Sequence, residues 1–350
     1  MEIVVCTQEK EKGHNNEAKR EKEMNEVRKI LVIRFSSIGD MVLTTPVVRC
    51  LKRKYPDAEI HYFTKKKFAQ VLANNPYISK MHLLSDNLPE LLKELRAERF
   101  DFVVDLHRNL RSLRVKLALR RPSGTFPKLN LRKWWYGRTK RKGVMPDVHI
   151  VDRYFEAVAK LGVSNDKAGL DFFAAPEPDF AMPFDRYIAV VCGATYTTKQ
   201  IPAETVCRLA ADRRYNFVLL GDANDGRRIE AVGAEFGDNV RNFCGQTTLN
   251  QSALLVQNAE AVITSDTGLM HIAAAFGKRI VAVWGNTTPQ LGMYPYMPQK
   301  IGGFVNVEKD LPCRPCSKLG YHKCPKGHLR CMKDITAEEI LEGVEELIRN

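Results

Sequence analysis

The chain alternates between short continuous apolar runs and longer segments in which apolar residues recur every three or four positions. "KILVIRF" (29–35) precedes "PVVRCLKRKYP", "AEIHYFT" precedes "KFAQVLANNP", "ISKMHLL" precedes "LPELLKELRAER", and "FDFVVDLH" precedes "RNLRSLRVKLALRR". Short apolar runs bounded by polar segments read as buried strands, and the periodic segments between them as amphipathic helices. In the last helix Leu110, Leu113 and Leu117, with Leu106 just before it, recur at helical spacing with arginines on the other side. Strands apolar on both faces and separated by helices predict a parallel sheet covered on both sides.

The alternation stops at a proline-rich stretch, "FFAAPEPDFAMPFD" (172–185), which reads as an interdomain linker. It then restarts with "YIAVVCG", "PAETVCRLAAD", "NFVLLGD", a helix around Arg227 to Phe236, "VRNFCG", "LNQSALLVQNA", "AVITSD", "GLMHIAAAFG" and "RIVAVWG". Two Rossmann-like α/β domains in tandem are therefore expected: 29–175, then a linker at 176–185, then 186–333, with a C-terminal helix over 334–350. In such pairs ligands bind at the carboxyl ends of the strands, where the two sheets face each other across a cleft.

Residues 1–28 carry 6 basic and 7 acidic side chains and little to bury, which predicts a disordered or frayed extension. They lack the apolar core of a signal peptide, and no stretch approaches the ~20 apolar residues of a membrane span. The expectation is a cytoplasmic protein with reduced cysteines. Its net charge of +13 is concentrated: Leu106 to Pro146 holds 13 Lys or Arg and no Asp or Glu. Such a segment points to a polyanion, whether nucleic acid, phospholipid surface or phosphorylated glycolipid. Trp134 and Trp135 lie inside it and suit a membrane interface, or equally a contact beneath a loop.

Three loops that leave strands can carry chemistry. "SDTGLMH" offers Asp266 and Thr267 as helix caps and Gly268 for close backbone approach, ahead of a helix whose free N–H groups suit a pyrophosphate. His271 reads either as part of this site or as packing. In "CGATYTTKQIP", Lys199, with Thr195 nearby, is placed to neutralise a leaving phosphate or to sit solvated before a helix. In "SSIGDMVLTTP" (36–46), Asp40 is the only ionisable side chain between Arg34 and Arg49. It can cap the following helix or take a proton from an incoming hydroxyl. The small residues around it read as clearance for a sugar and its acceptor.

"ILVIRFSSIGDMVLTTPVVRCLK", "DFVVDLHRNLRS" and "SDTGLMHIAAAFGKRIVAVWGNTTP", in this order, resemble glycosyltransferase family 9, the ADP-heptose:lipopolysaccharide heptosyltransferases. The resemblance runs from about Arg28 to Met332. It implies a GT-B fold and inverting transfer from a nucleotide-activated sugar with no cofactor. Asp40 is implied as general base, and Lys199 with Asp266, Thr267, Gly268, Leu269, Met270 and His271 as the donor pyrophosphate site, joined by Thr195. "GDAND" (221–225) falls where the family contacts the nucleoside. Lys65, Lys66 and Lys67 fall on the family's acceptor-binding basic segment, with Arg108, Arg111 and His149 as additions. The implied partners are a nucleotide-sugar, an anionic glycolipid and the inner face of the cytoplasmic membrane, with no nucleic acid. Another nucleotide-sugar or acceptor on the same fold, or a non-catalytic polyanion adaptor, is the alternative.

"CRPCSKLGYHKCPKGHLRCM" resembles the tail of many family members. Cys313, Cys316, Cys324 and Cys331, with His322 and His328 in reserve, offer a structural zinc site, although a second short Cys pair is missing. Reduced buried thiols and disulfides are the competing readings.

Overall fold

The computed structural model describes residues 27–141, 143–233 and 236–349. Of the charged N-terminal stretch only Val27 and Arg28 fall within these, and the expectation for residues 1–26 lies outside them. The first sheet contains β1 (Lys29–Ile33), β2 (Glu59–Lys65), β3 (Lys80–Leu84), β4 (Phe102–Asp105) and β5 (Ser123–Thr125). All its pairings are parallel, in the order β3-β2-β1-β4-β5. Its helices are α1 (Ile38–Val42), α2 (Thr45–Lys54), α3 (Leu88–Ala97), α4 (Leu110–Leu119), α5 (Asn130–Thr139) and α6 (Ile150–Tyr154).

The second sheet contains β6 (Ile188–Val191), β7 (Phe217–Leu220), β8 (Val240–Asn242), β9 (Ala261–Ser265), β10 (Arg279–Trp284) and β11 (Phe304–Glu308). It too is parallel throughout, in the order β11-β10-β9-β6-β7-β8. Its helices are α7 (Ala203–Ala210), α8 (Ala223–Glu230), α9 (Leu249–Asn258), α10 (Gly268–Ala275), α11 (Arg330–Lys333) and α12 (Ala337–Arg349). Each sheet reverses its winding once, between β1 and β4 in the first and between β6 and β9 in the second. Those two switch points open a crevice at the strands' carboxyl ends.

β1, β4, β6 and β9 are buried along almost their whole length, as strands covered on both faces must be. One apolar cluster runs from Ile30 and Val32 through Tyr154 and Val158 into Val262 and Ile280, so the two sheets share a continuous core. The outer face of the second sheet is closed by α12, whose Ile340, Leu341, Val344 and Leu347 are buried against Val281 and Val283.

Three local expectations differ. Residues 66–71 form a 3₁₀ turn where a full helix is expected, and α8 starts at Ala223, one turn before the expected helix. Asp222 supplies that earlier start, because its carboxylate accepts from the Asn224 and Asp225 N–H groups. The third concerns α4, where Leu110, Leu113 and Leu117 face solvent with exposures of 79%, 44% and 66%. Ser112, Val115 and Leu119 face inward instead. The cause is polar: Ser112 Oγ donates to Asp105 Oδ2 at 2.8 Å, and Ser112 and Asn109 form a reciprocal cap. That anchor fixes the rotation of α4 and turns its leucines outward.

Candidate active site

β1 ends at Ile33, and the next four residues turn into α1 through Ser37, its N-cap. Asp40, in the first turn, accepts from the Ser37 N–H at 3.1 Å and the Ser37 hydroxyl at 2.9 Å. Its other carboxylate oxygen pairs with Arg34 Nη2 at 2.6 Å. Arg34 is itself almost wholly buried, and it also donates to the Ser36 and Leu106 carbonyls and the Tyr154 hydroxyl. Burial disfavours ionisation of Asp40, but the Arg34 guanidinium and the Ser37 donors outweigh it and hold the carboxyl below its usual range. Asp40 is therefore both a helix-capping residue and an ionised carboxylate at the cleft.

On the opposite wall, Thr267 caps α10 by accepting from the Met270 N–H at 3.4 Å. This leaves Gly268 and Leu269 as the amides at the positive end of the helix. Lys199 closes a 3₁₀ turn after β6, and its ammonium pairs with Asp266 Oδ2 at 2.6 Å. Thr287 Oγ1 donates to the same carboxylate oxygen at 3.1 Å. Asp266 thus holds Lys199 in place. Its carboxylate would repel a phosphate, so the side chain acts through Lys199. Met270 sends its side chain into the core and offers only its backbone.

These two walls line one cavity of about 540 Å³. Ser37, Gly39 and Asp40 come from the first domain, and Thr195, Lys199, Asp266, Thr267, Gly268 and His271 from the second. His271 is buried between the walls with Nδ1 unpartnered, and burial drops its pKa to about 4, so it is neutral near pH 7. The small residues of "SSIGD" have a further purpose. A Cβ on Gly39 would lie 2.6 Å from His271 Cδ2, and one on Gly268 2.7 Å from Ile38 Cγ2. At these two positions the clearance serves the approach of α1 and α10.

The cavity also contains residues that the sequence did not single out for the site: Arg34, His107, Lys128, Asn130, Lys133, Tyr154 and Lys318. Among the described residues no carboxylate pairs with Lys128 or Lys133, so both remain available to an anionic ligand. Burial lowers the Lys133 pKa to about 8, and Lys128 is pushed down as well. The signal for them was the basic segment as a whole, whose individual inward members were not distinguishable by spacing.

The remaining candidates stand outside the cavity lining. Lys65 ends β2, while Lys66 and Lys67 are exposed on the following turn. Arg111 lies over the Phe35 ring, and Arg108 donates to the Phe126 carbonyl at 3.1 Å. His149 is enclosed: its Nδ1 accepts from the Val151 N–H, leaving Nε2 to donate to the Tyr294 carbonyl at 2.9 Å. With both nitrogens hydrogen-bonded within the protein, it ties the start of α6 to the second domain. "GDAND" caps α8, where Asp225 packs against Gly193 at the root of the Lys199 loop.

The tail cysteines do not fit a structural zinc in this arrangement. Cys316 donates to the Cys313 carbonyl, Cys313 lies 3.9 Å from His328 Nε2, Cys331 is buried, and among the described residues these sulfurs and ring nitrogens do not converge into a ligand set. Among the described residues, the group of potential ligands that does converge is His61, His82 and Glu98, at the far end of the first sheet. Its carboxylate is already neutralised by Lys29 and Lys80.

The sequence profile of glycosyltransferase family 9 (heptosyltransferase) matches residues 89–322, which include Lys199 and the Asp266–His271 stretch. The chain belongs to this family. Lipopolysaccharide heptosyltransferase 2 of Escherichia coli (strain K12) is 27% identical to this family-9 enzyme, over 91% of this chain and 98% of the relative, which takes in Asp40's half of the molecule. Two solved structures share the fold. A family-9 glycosyltransferase from Veillonella parvula has a TM-score of 0.74 at 22% identity, covering 92% of this chain and 98% of its own. The E. coli ADP-heptose lps heptosyltransferase II has a TM-score of 0.67 at 24% identity with the same coverage. The two facing parallel sheets are those of a GT-B glycosyltransferase, in agreement with the expectation from sequence.

Proposed function

We propose that this family-9 enzyme transfers a heptose from ADP-heptose to a lipopolysaccharide inner-core acceptor, with Asp40 as general base. The observation that carries the reading is the shared cavity: an ionised carboxylate on one wall faces a lysine and a helix N-terminus on the other. The name of the E. coli relative supports the substrate class.

In this reading the donor pyrophosphate lies against Lys199 and the Gly268 and Leu269 amides. The acceptor hydroxyl oxygen attacks C1 of the sugar, the C1–O bond to phosphate breaks, and ADP leaves with both electrons. The proton of the attacking hydroxyl passes to Asp40. Displacement from the face opposite the leaving group inverts the anomeric configuration. Lys199 and the helix dipole stabilise the charge that grows on the leaving phosphate. Lys128, Lys133 and Lys318 are placed to receive the anionic acceptor. No step is assigned to a metal or cofactor. An acceptor of this kind is membrane-anchored, so the enzyme works at the inner face of the cytoplasmic membrane.

The test is turnover of ADP-heptose against ADP-glucose and UDP-sugars, for the wild type and for Asp40→Asn. The expected result is a preference for ADP-heptose and a loss of ~10²- to 10⁴-fold in Asp40→Asn, with ADP still protecting the variant against thermal unfolding. Undiminished turnover in Asp40→Asn overturns the mechanism. Preference for another sugar overturns the donor assignment alone.

A further inference from the structure

The outward turn of α4 leaves an unusual surface. Half of the twelve large hydrophobic side chains exposed among the described residues lie between 110 and 135: Leu110, Leu113, Leu117, Leu131, Trp134 and Trp135. They are spread along two helices whose leading segments are tied together, because Arg108, just before α4, donates to the Phe126 carbonyl in the loop that leads to α5. The surrounding stretch, Leu106 to Pro146, carries 13 basic residues and no acidic one. Leucines and tryptophans in a field of arginines and lysines match the interfacial layer of an anionic bilayer, with apolar side chains among acyl chains and cations at the head groups.

Helix α5 joins this surface to the chemistry. Asn130 and Lys133 line the cavity, whereas Leu131, Trp134 and Trp135 of the same helix point to solvent with exposures of 78%, 57% and 47%. We infer that the exposed faces of α4 and α5 form a membrane-insertion surface that seats the cleft mouth on an anionic bilayer. This rests on the reading of the acceptor as a lipid-anchored glycan and adds where the enzyme meets the lipid. A nucleic acid would use the cations and leave six exposed apolar side chains without a partner, so the bilayer is the occupant favoured.

The experiment is co-sedimentation of the full-length protein with phosphatidylcholine vesicles and with phosphatidylcholine–phosphatidylglycerol vesicles. Intrinsic fluorescence is read in parallel. Of the three tryptophans, Trp284 is buried and hydrogen-bonded to Asn306, so a change on binding reports Trp134 and Trp135. Expected are binding to the anionic vesicles that weakens as salt rises, and a blue shift of emission. The triple variant Leu110→Ser/Leu113→Ser/Leu117→Ser should bind about 10- to 100-fold more weakly. Its transfer to a deacylated, water-soluble acceptor should match the wild type, because these side chains are exposed and are not part of the cavity lining. Equal vesicle binding by the variant, equal binding to neutral vesicles, an unshifted emission, or binding to RNA but not to vesicles overturns the proposal. Failure of the wild type to act on the soluble acceptor counts against the proposed function and leaves the vesicle result to be judged alone.

Discussion

Gly39 and Gly268 stand against each other across the cleft: a Cβ built on Gly268 would lie 3.4 Å from the Gly39 nitrogen, and one built on Gly39 would lie 3.4 Å from the Gly268 Cα. Helix α1, which carries Asp40, and helix α10, whose N-terminus lies beside Lys199, therefore meet through hydrogen atoms. A methyl group at either position must push them apart, since other neighbours are nearer still, at 2.6 and 2.7 Å.

Gly39→Ala and Gly268→Ala are each expected to destabilise the protein by about 1–3 kcal/mol through overpacking. Each should also cut turnover about 10-fold or more, because Asp40 moves relative to Lys199. Chemical denaturation and steady-state kinetics measure the two effects. Wild-type turnover in Gly268→Ala would show that the spacing of the helices is not what sets the reacting distance.

The Arg34–Asp40 pair sets the acid side of the pH profile. A carboxyl held below its usual range stays ionised until the pH falls below about 4, so kcat/KM should not lose its base between pH 5 and 7. Arg34→Gln removes the largest stabilising influence on the carboxylate, so the acid limb should move upward by about one pH unit or more. An acid limb unchanged in that variant would mean that Ser37 alone holds Asp40 ionised.

Lys199 is ion-paired with Asp266, so a pyrophosphate bound as proposed must compete for the ammonium. Asp266→Asn removes that competitor and leaves the ammonium without a counter-charge. The variant should unfold at lower temperature than wild type without ligand, by about 1–3 kcal/mol. It should also gain more from added ADP. Thermal unfolding with and without ADP measures both, and a smaller ADP-induced rise in the variant would refute the competition.

Lys133 is charged below about pH 8 and neutral above it, so its attraction for an anionic acceptor is present below that pH and lost above it. The acceptor KM is expected to rise from pH 7.5 to pH 9, and Lys133→Arg should flatten the rise because a guanidinium stays charged. An identical rise in Lys133→Arg would place the titrating group elsewhere.

Stability should also fall in mild acid. His82, His149 and His271 are buried and titrate near 4, 3 and 4, with burial as the main cause. Below about pH 6.5 the unfolded chain takes up protons that the folded chain refuses, so stability falls as pH drops from there toward 4. The slope is at most ~1.4 kcal/mol per pH unit for each histidine. Urea denaturation at pH 7, 6 and 5 reads the slope, and His149→Asn should make it shallower. A stability independent of pH over that range would show that these histidines ionise while folded.

The strands and the three loops were legible because a buried parallel strand must be apolar along its length, and because its exit must use small or capping residues. Asp40, Lys199 and the Thr267 cap needed no more than that. Arg34 was hidden by its own position: it follows β1 directly and reads as the strand's last residue, while its partners Leu106 and Tyr154 are 72 and 120 positions away. Which face of α4 turns inward was not legible, because spacing alone does not tell an inward stripe from an outward one. A single serine, anchored to Asp105, decided it. β5 and α5 left no periodic signal, since three strand residues are too few and "NLRKWWYGRT" mixes apolar and basic residues on every side.

Helix α5 has one more consequence. Lys133 in the cavity and Trp134 beside it belong to one rigid rod, and a helix with its side chains is only about 10–12 Å across. If the tryptophans rest in the head-group layer, that rod works as a ruler. It fixes the height of the reacting carbon above the membrane, and a sugar further from the lipid is passed over by distance before any hydroxyl is recognised.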